Sequence, residues 1–240
     1  MKAYGATHVG RVRAVNQDAY YLPEAGESFA VVADGMGGHK AGEVASAMAV
    51  SEFTRWLRCA PVPTEETVNY AVHEANRIIH RTAQRETDKS NMGTTLVSVW
   101  VDDEQVIECN VGDSRAYLLR DGTLTQISRD HSLVGELVEE GKITKQEAMH
   151  HPHKNYITRA VGTSSMVQPE LRTLDRKSGD VWLLCSDGMS NYIEDGELER
   201  ILREQADRAK CVKKLIDLAL ERGGADNITV VLVDCGEVAP

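Results

Sequence analysis

The stretch DAYYLPEAGESFAVVAD, from Asp18 to Asp34, decides the fold. Two short β-like runs, 19–22 and 28–33, flank the segment Pro23-Glu24-Ala25-Gly26-Glu27, whose composition is that of a turn. Paired as a hairpin, the runs bring Asp18, just before the first, next to Asp34, just after the second. Two carboxylates then share one sheet rim. Downstream, the residues 43–57 and 64–85 read as helices. In the second, Val68, Ala71, Val72, Ala75, Ile78 and Ile79 form an apolar stripe at helical spacing, with Thr64 placed to cap it and Glu65 and Glu66 in its first turn. Three β-like runs follow, 94–101, 105–110 and 115–119. The turn signal Asp102-Asp103 predicts that the first two form a hairpin, and Asp113 falls in the turn before the third.

Residues 132–163 are different in kind. Leu133, Val134, Leu137 and Val138 suggest a short helix, and Thr144 with Glu147 makes a capping-box pattern that opens another, ended by His150, His151, Pro152 and His153. A polar, helical insertion between β regions reads as a flap. Beyond it, 167–174 and 181–186 read as strands, 195–203 and 207–222 as helices, the latter stopped by Gly223-Gly224, and 227–233 as a last apolar strand. Helices come in pairs and strands in consecutive groups, which favours an α+β fold with mostly antiparallel sheets over a parallel βαβ repeat. A helix pair on each face of a two-sheet sandwich would bury every apolar stripe. The expectation is a four-layer αββα sandwich in one domain, 1–240, with the flap at about 132–163.

A net charge of −10 argues against a broad nucleic-acid surface or a polybasic membrane patch. The start is too polar for a signal peptide, and no apolar run is long enough to cross a bilayer. The five cysteines are widely spaced with no Cys-x-x-Cys pair, as expected of reduced thiols, Cys185 and Cys235 being core fillers. The expectation is a soluble, cytoplasmic protein with no nucleic-acid or membrane partner.

The chemistry is carried by Asp18, Asp34, Asp113, Asp187 and Asp226, which stand where apolar runs begin or end. Carboxylates gathered on one rim repel each other, and a bound divalent cation is the usual reason they persist. All-oxygen donors suit Mg²⁺ or Mn²⁺, whereas zinc recruits His or Cys. Gly35 and Gly188, each after an aspartate, are read as tight turns that let a backbone carbonyl approach a cation. Two ions roughly 3.5–4 Å apart would activate a bridging water and neutralise a phosphoryl oxygen. Arg13 is the candidate phosphate clamp, since a guanidinium holds two oxygens in a fork. Gly35, Gly37 and Gly38 lack the spacing of a nucleotide loop, and Ser186-Asp187-Gly188 is no nucleophile elbow. The histidines at 150, 151 and 153 read as the polar end of the flap rather than a metal site, and His39 is a weak candidate proton donor.

Taken in order, Arg13-Ala-Val-Asn-Gln-Asp18, Asp34-Gly-Met-Gly-Gly-His39, Gly93-Thr94-Thr95, Gly112-Asp-Ser-Arg115, Ser186-Asp-Gly188 and Asp226-Asn227 resemble the motifs of the metal-dependent Ser/Thr protein phosphatases of the protein phosphatase 2C type, in compact bacterial form. The resemblance spans the chain, and the family's αββα fold agrees with the layers above. It implies hydrolysis of phosphoserine and phosphothreonine on proteins by direct attack of a metal-bridging water. Asp34 would bridge two ions, Mn²⁺ or Mg²⁺, and Gly35 would lend one its carbonyl. Asp187 and Asp226 would complete a shell, Asp18 would act through water, and Asp113 with Asp187 would mark an optional third ion. Arg13 would bind the substrate phosphate, and a cognate Ser/Thr protein kinase and its targets would be the partners. Met36 stands where many eukaryotic members place a histidine proposed as general acid, and Gln17 where they often carry Glu. A non-catalytic module with the same fold and a small-molecule phosphatase are the competing readings.

Overall fold

The computed structural model describes residues 1–38, 41–60 and 62–236, the side chain of residue 88 excepted. His39 therefore lies outside the described residues. One sheet has the order β1-β11-β10-β7-β8, built from β1 (Lys2–His8), β7 (Arg115–Arg120), β8 (Thr123–Gln126), β10 (Val181–Cys185) and β11 (Ile228–Asp234). The other runs β2-β3-β5-β6-β9, from β2 (Asp18–Tyr21), β3 (Phe29–Met36), β5 (Leu96–Val101), β6 (Gln105–Val111) and β9 (Glu170–Asp175), with β4 (Gly93–Thr94) on the end of β3. The ladders are antiparallel in both sheets.

Three apolar layers hold these sheets in a four-layer sandwich. Helices α1 (Ala41–Cys59) and α2 (Glu65–Arg85) cover the second sheet through Phe53, Leu57, Val72 and Ile79, packed on Phe29, Val31 and Ala33. The two sheets meet through Val32, Val97, Val99, Trp182, Leu184 and Val231. Helices α6 (Asp195–Glu204) and α7 (Arg208–Glu221) cover the first sheet through Leu198, Leu202 and Leu215, packed on Leu183, Val230 and Leu232. Successive residues of one strand thus serve opposite layers, as the two-residue period of a strand demands. Burial on both faces explains why the inner antiparallel strands β5, β10 and β11 are almost uniformly apolar, a pattern more usual in parallel sheets.

The elements expected from sequence are present with shifted ends, and the differences have local causes. Strand β3 continues through Asp34 to Met36, so Asp34 sits inside a strand rather than after one. The run 94–101 is split at Thr95, because Thr94 pairs with Gly35 and also bridges to Val161. Strands β1 and β8 are edge strands of small or polar residues without strong alternation, and so carry little sequence signal. The short helix α5 (Asp187–Ser190) occupies what reads in sequence as a turn. Among the described residues no helix is long and apolar enough to cross a membrane. The two helices expected within 132–163 form. In this segment, Ser132 caps α3 (Leu133–Glu139), and Thr144 and Glu147 close a capping box on α4 (Lys145–Met149). Two isolated bridges, Ser132 to Ile157 and Thr94 to Val161, tie the insertion to the core.

The four-layer arrangement predicts that neither face of β10 tolerates truncation. Leu183→Ala empties the outer layer and Leu184→Ala the layer between the sheets. Each should lower stability by about 2–5 kcal/mol in urea unfolding; a fold with one solvated sheet face would spare one of them.

Candidate metal centre

The β2–β3 hairpin sets Asp18 directly opposite Asp34. Both share the strand face of Tyr20 and Val32, which contribute to the layer between the sheets, so both carboxylates lie at the end of that layer. Like charges in this position are destabilising unless something compensates them. For Asp18 part of the compensation comes from the opposite sheet. Its Oδ2 accepts hydrogen bonds from Ser186 Oγ at 2.8 Å and Thr229 Oγ1 at 2.6 Å.

Asp34 is fixed through its backbone. Its N–H donates to Thr95 Oγ1 at 2.8 Å, and its carbonyl accepts from Thr95 N and Thr94 Oγ1, both at 2.9 Å. Thr95 Oγ1 also lies 2.7 Å from Ser114 Oγ, which joins this clamp to the loop that carries Asp113. The Gly93-Thr94-Thr95 motif therefore acts by holding Asp34. Asn227 does the same for the N-terminal loop. Its Oδ1 accepts from Gln17 N at 2.8 Å, and its Nδ2 donates to the carbonyls of Val9 (2.9 Å) and Val15 (3.0 Å). That loop delivers Arg13, half-exposed, whose guanidinium donates to Asp226 Oδ2 at 2.8 Å. Thr94, Thr95, Ser186 and Asn227 belong to the motifs quoted from the sequence, and the structure shows that they position the site; Thr229, a threonine inside the apolar strand β11, does so without any sequence signal.

The glycines work differently from the sequence expectation. Neither Gly35 nor Gly188 has a left-handed backbone, and Gly35 lies in β3, so the tight-turn reading is corrected. Their requirement is close backbone approach. A Cβ on Gly35 would fall 2.0 Å from the Gly42 carbonyl oxygen, and one on Gly188 would fall 1.9 Å from that of Asn227. The missing side chains let α1 press against β3 and α5 against the start of β11.

These contacts gather the five aspartates into one electrostatic unit. Asp34 is largely but not fully withdrawn from water; loss of hydration first, and then repulsion from Asp18, Asp187, Asp113 and Asp226, raise its carboxyl well above the ordinary range. Asp113 rises likewise through burial and through Asp187. Burial, partly offset by the Thr229 and Ser186 hydrogen bonds, pushes Asp18 up to about 7. Burial and repulsion from Asp226 push Asp187 up to about 6, with opposing help from Asp34, Asn191 and Lys154. Asp18 Oδ1 and Asp187 Oδ1 are buried without any hydrogen-bond partner, an arrangement that costs several kcal/mol for an ionised oxygen left uncompensated. Hard oxygen donors, two of them orphaned, within a crowd of repelling carboxylates fit a divalent cation of the Mg²⁺ or Mn²⁺ kind. Among the described residues no three acidic, histidine or cysteine side chains form a ready-made cage. The histidines at 150, 151 and 153 lie on the flap, with the 151 and 153 rings 5.7 Å apart.

Beside Asp113 and Asp187 a cavity of about 610 Å³ opens between the flap and the segment 187–196. The model of the protein phosphatase 2C family matches residues 4–222. The chain belongs to that family. It is 40% identical to the serine/threonine phosphatase Stp of Listeria welshimeri, an alignment that covers 98% of this chain and 96% of that protein. Against the crystal structure of the Mycobacterium tuberculosis serine/threonine phosphatase PstP/Ppp it has a TM-score of 0.90 at 38% identity, with 99% and 100% of the two chains covered. A structure of the PstP catalytic domain in complex with two manganese ions superposes with a TM-score of 0.88, also at 38% identity, over 97% of both chains. This family member is a metal-dependent protein phosphatase.

The raised carboxyl values set a pH dependence. A carboxyl whose folded pKa exceeds its unfolded one stabilises the protein below the unfolded value, and that contribution is lost as pH rises through the folded one. For Asp18 and Asp187 the loss runs from about 4 up to 6–7. The ion-free protein should therefore lose melting temperature between about pH 4 and 7. The gain on adding Mn²⁺ should grow over the same range, because a cation competes with those protons. A Mn²⁺-induced shift in differential scanning fluorimetry that is flat across this range would contradict the assignment.

Proposed function

We propose that this centre hydrolyses phosphoserine and phosphothreonine side chains of proteins, with no phosphoenzyme intermediate. The observation that supports this most is the set of buried, mutually repelling aspartates with orphaned oxygens, beside a guanidinium that has one carboxylate partner. In this reading Asp34, the Gly35 carbonyl, Asp187 and Asp226 would hold the ions, Asp18 would contribute through water, and Asp113 with Asp187 would hold an optional further ion. When bound, Mn²⁺ or Mg²⁺ supplies activation of water and charge neutralisation at the phosphoryl oxygens. The chain's own residues do the rest. The Thr94–Thr95 clamp and the Ser186 and Thr229 hydroxyls keep the carboxylates in register. Arg13, held by Asp226, is placed at the rim; with Asp226 committed to a cation, its fork is free for two phosphoryl oxygens. Met36 has no exchangeable proton, so the alkoxide leaving group takes its proton from water or another group.

The rest of the reading follows the same chemistry. Residues 1–240 act as one catalytic unit with 132–163 as its flap, in the cytoplasm, on the targets of a Ser/Thr protein kinase. The carboxylate set is intact, which speaks against a non-catalytic module. A small-molecule phosphatase would share the chemistry, and kcat/KM on phosphoproteins against metabolites separates the two.

The protein should release phosphate from a phosphothreonine peptide with Mn²⁺ and stop on addition of EDTA. Asp34→Asn should cut kcat by at least about a hundredfold, a loss that removal of a ligand's outer partners alone can reach; full activity in this variant would sink the proposal. Arg13→Ala should raise KM roughly tenfold through loss of a charged hydrogen bond, read by initial rates at varied peptide concentration.

A further inference from the structure

The cavity beside Asp113 and Asp187 holds a cation that the reading above does not use. Arg115 is held by Asp130, with donor–acceptor distances of 2.6–3.0 Å. Arg129 pairs with Glu139, Lys145 with Asp195, and Arg172 with Glu170. All four cations line the cavity, and each has its charge answered by a carboxylate. Lys154 lines the same cavity from the flap and, among the described residues, makes no ion pair.

Its position is set by the backbone. Lys154 N donates to the His151 carbonyl at 3.1 Å, closing a turn, and Tyr156 N donates to the His153 carbonyl at 3.1 Å. The turn is stitched to the segment 131–133 by Leu133 N to Tyr156 O (2.9 Å) and Thr158 N to His131 O (2.9 Å). His131 N in turn donates to the Gly112 carbonyl at 2.8 Å, adjacent to Asp113. A chain of hydrogen bonds therefore runs from the Asp113 loop to the lysine. Lys154 and Asp187 both line this cavity, the lysine from the flap and the aspartate from the start of α5. Arg13 stands at the Asp226 end of the carboxylate set and does not line the cavity. Arg13, paired with Asp226, and Lys154, which lines the cavity, thus stand at different parts of the centre.

We propose that Lys154 is a substrate-binding residue that contacts the phosphoryl oxygens from the flap side, while Arg13 holds them from the Asp226 side. This rests on the phosphatase reading above. An ammonium suits the role because it acts as a point charge on a flexible stem, tolerant of the geometry of an incoming phosphate, where the Arg13 fork fixes orientation. It also couples the flap to the reaction: the loop that lines the cavity carries a charge that the phosphate needs.

The test uses the Mn²⁺-loaded full chain. Inorganic phosphate is titrated by isothermal calorimetry, and rates are measured on a phosphothreonine peptide and on p-nitrophenyl phosphate. Lys154→Gln should weaken phosphate binding roughly tenfold, the scale of one charged hydrogen bond. KM should rise by a similar factor on both substrates, with kcat changed less than about threefold. Lys154→Arg should restore most of the affinity, and unchanged melting temperatures would tie the loss to the charge rather than to folding. Unaltered phosphate affinity in Lys154→Gln overturns the proposal. So does a KM rise confined to the peptide, which would make an acidic residue of the peptide the partner of Lys154. Because the calorimetric readout needs no turnover, it stays decisive for Lys154 even if neither substrate is hydrolysed, an outcome that would instead overturn the phosphatase reading.

Discussion

The repulsion among Asp18, Asp34, Asp113 and Asp187, buried at the end of the layer between the two sheets, is the constraint on which this structure turns. A carboxylate withdrawn from water beside others of its kind is costly, and the raised values at all four record that cost. The fold tolerates it because the same four-layer packing that buries Trp182 and Val231 between the sheets provides rigid supports on every side. What remains uncompensated, above all the two orphaned oxygens, is what a divalent cation relieves. Stability and function are coupled here: an ion that supports the chemistry would also relieve the repulsion among these carboxylates.

Much of the remaining sequence can be understood as service to that constraint. The hydroxyls of Ser186 and Thr229 reach across from one sheet to bond a carboxylate of the other, so the rim ties the sheets together where apolar packing ends. Thr94 and Thr95 grip the Asp34 backbone on both sides, and Asn227 fastens the loop that carries Arg13. The glycines belong to the same account. At Gly35 and Gly188 a single methyl group would collide with a neighbouring carbonyl, so absence of a side chain is what brings the carrying segments close enough.

The flap adds a different kind of control. Its short helices are capped locally and bury little, while its return strand segment is pinned near Asp113. Such an element combines weak internal stability with a firm attachment at one end, the combination expected of a part that adapts to a substrate while its base stays registered to the reacting centre. Among the described residues Lys154 makes no ion pair while the other cations around the cavity are neutralised, and in the proposed role the flap contributes charge as well as shape.

The chain alone determined the kinds of element, their grouping into helix pairs and antiparallel strands, the hairpin that opposes Asp18 to Asp34, the capped flap helices and the identity of the oxygen donors. These are legible because they rest on local periodicity, capping patterns and turn composition. The edge strands β1 and β8 were not, since small or polar edge residues leave no alternation to read. Only the tertiary structure decided that Asp34 lies within a strand, that Gly35 and Gly188 serve close approach rather than turns, and that Arg13 rests on Asp226. The supporting roles of Thr94, Ser186, Thr229 and Asn227, and the unanswered charge of Lys154, also emerge only there. A hydroxyl, an amide or an ammonium has no role until its partner is known, and those partners lie in other strands, loops and layers, where only the packing of the sandwich brings them within reach.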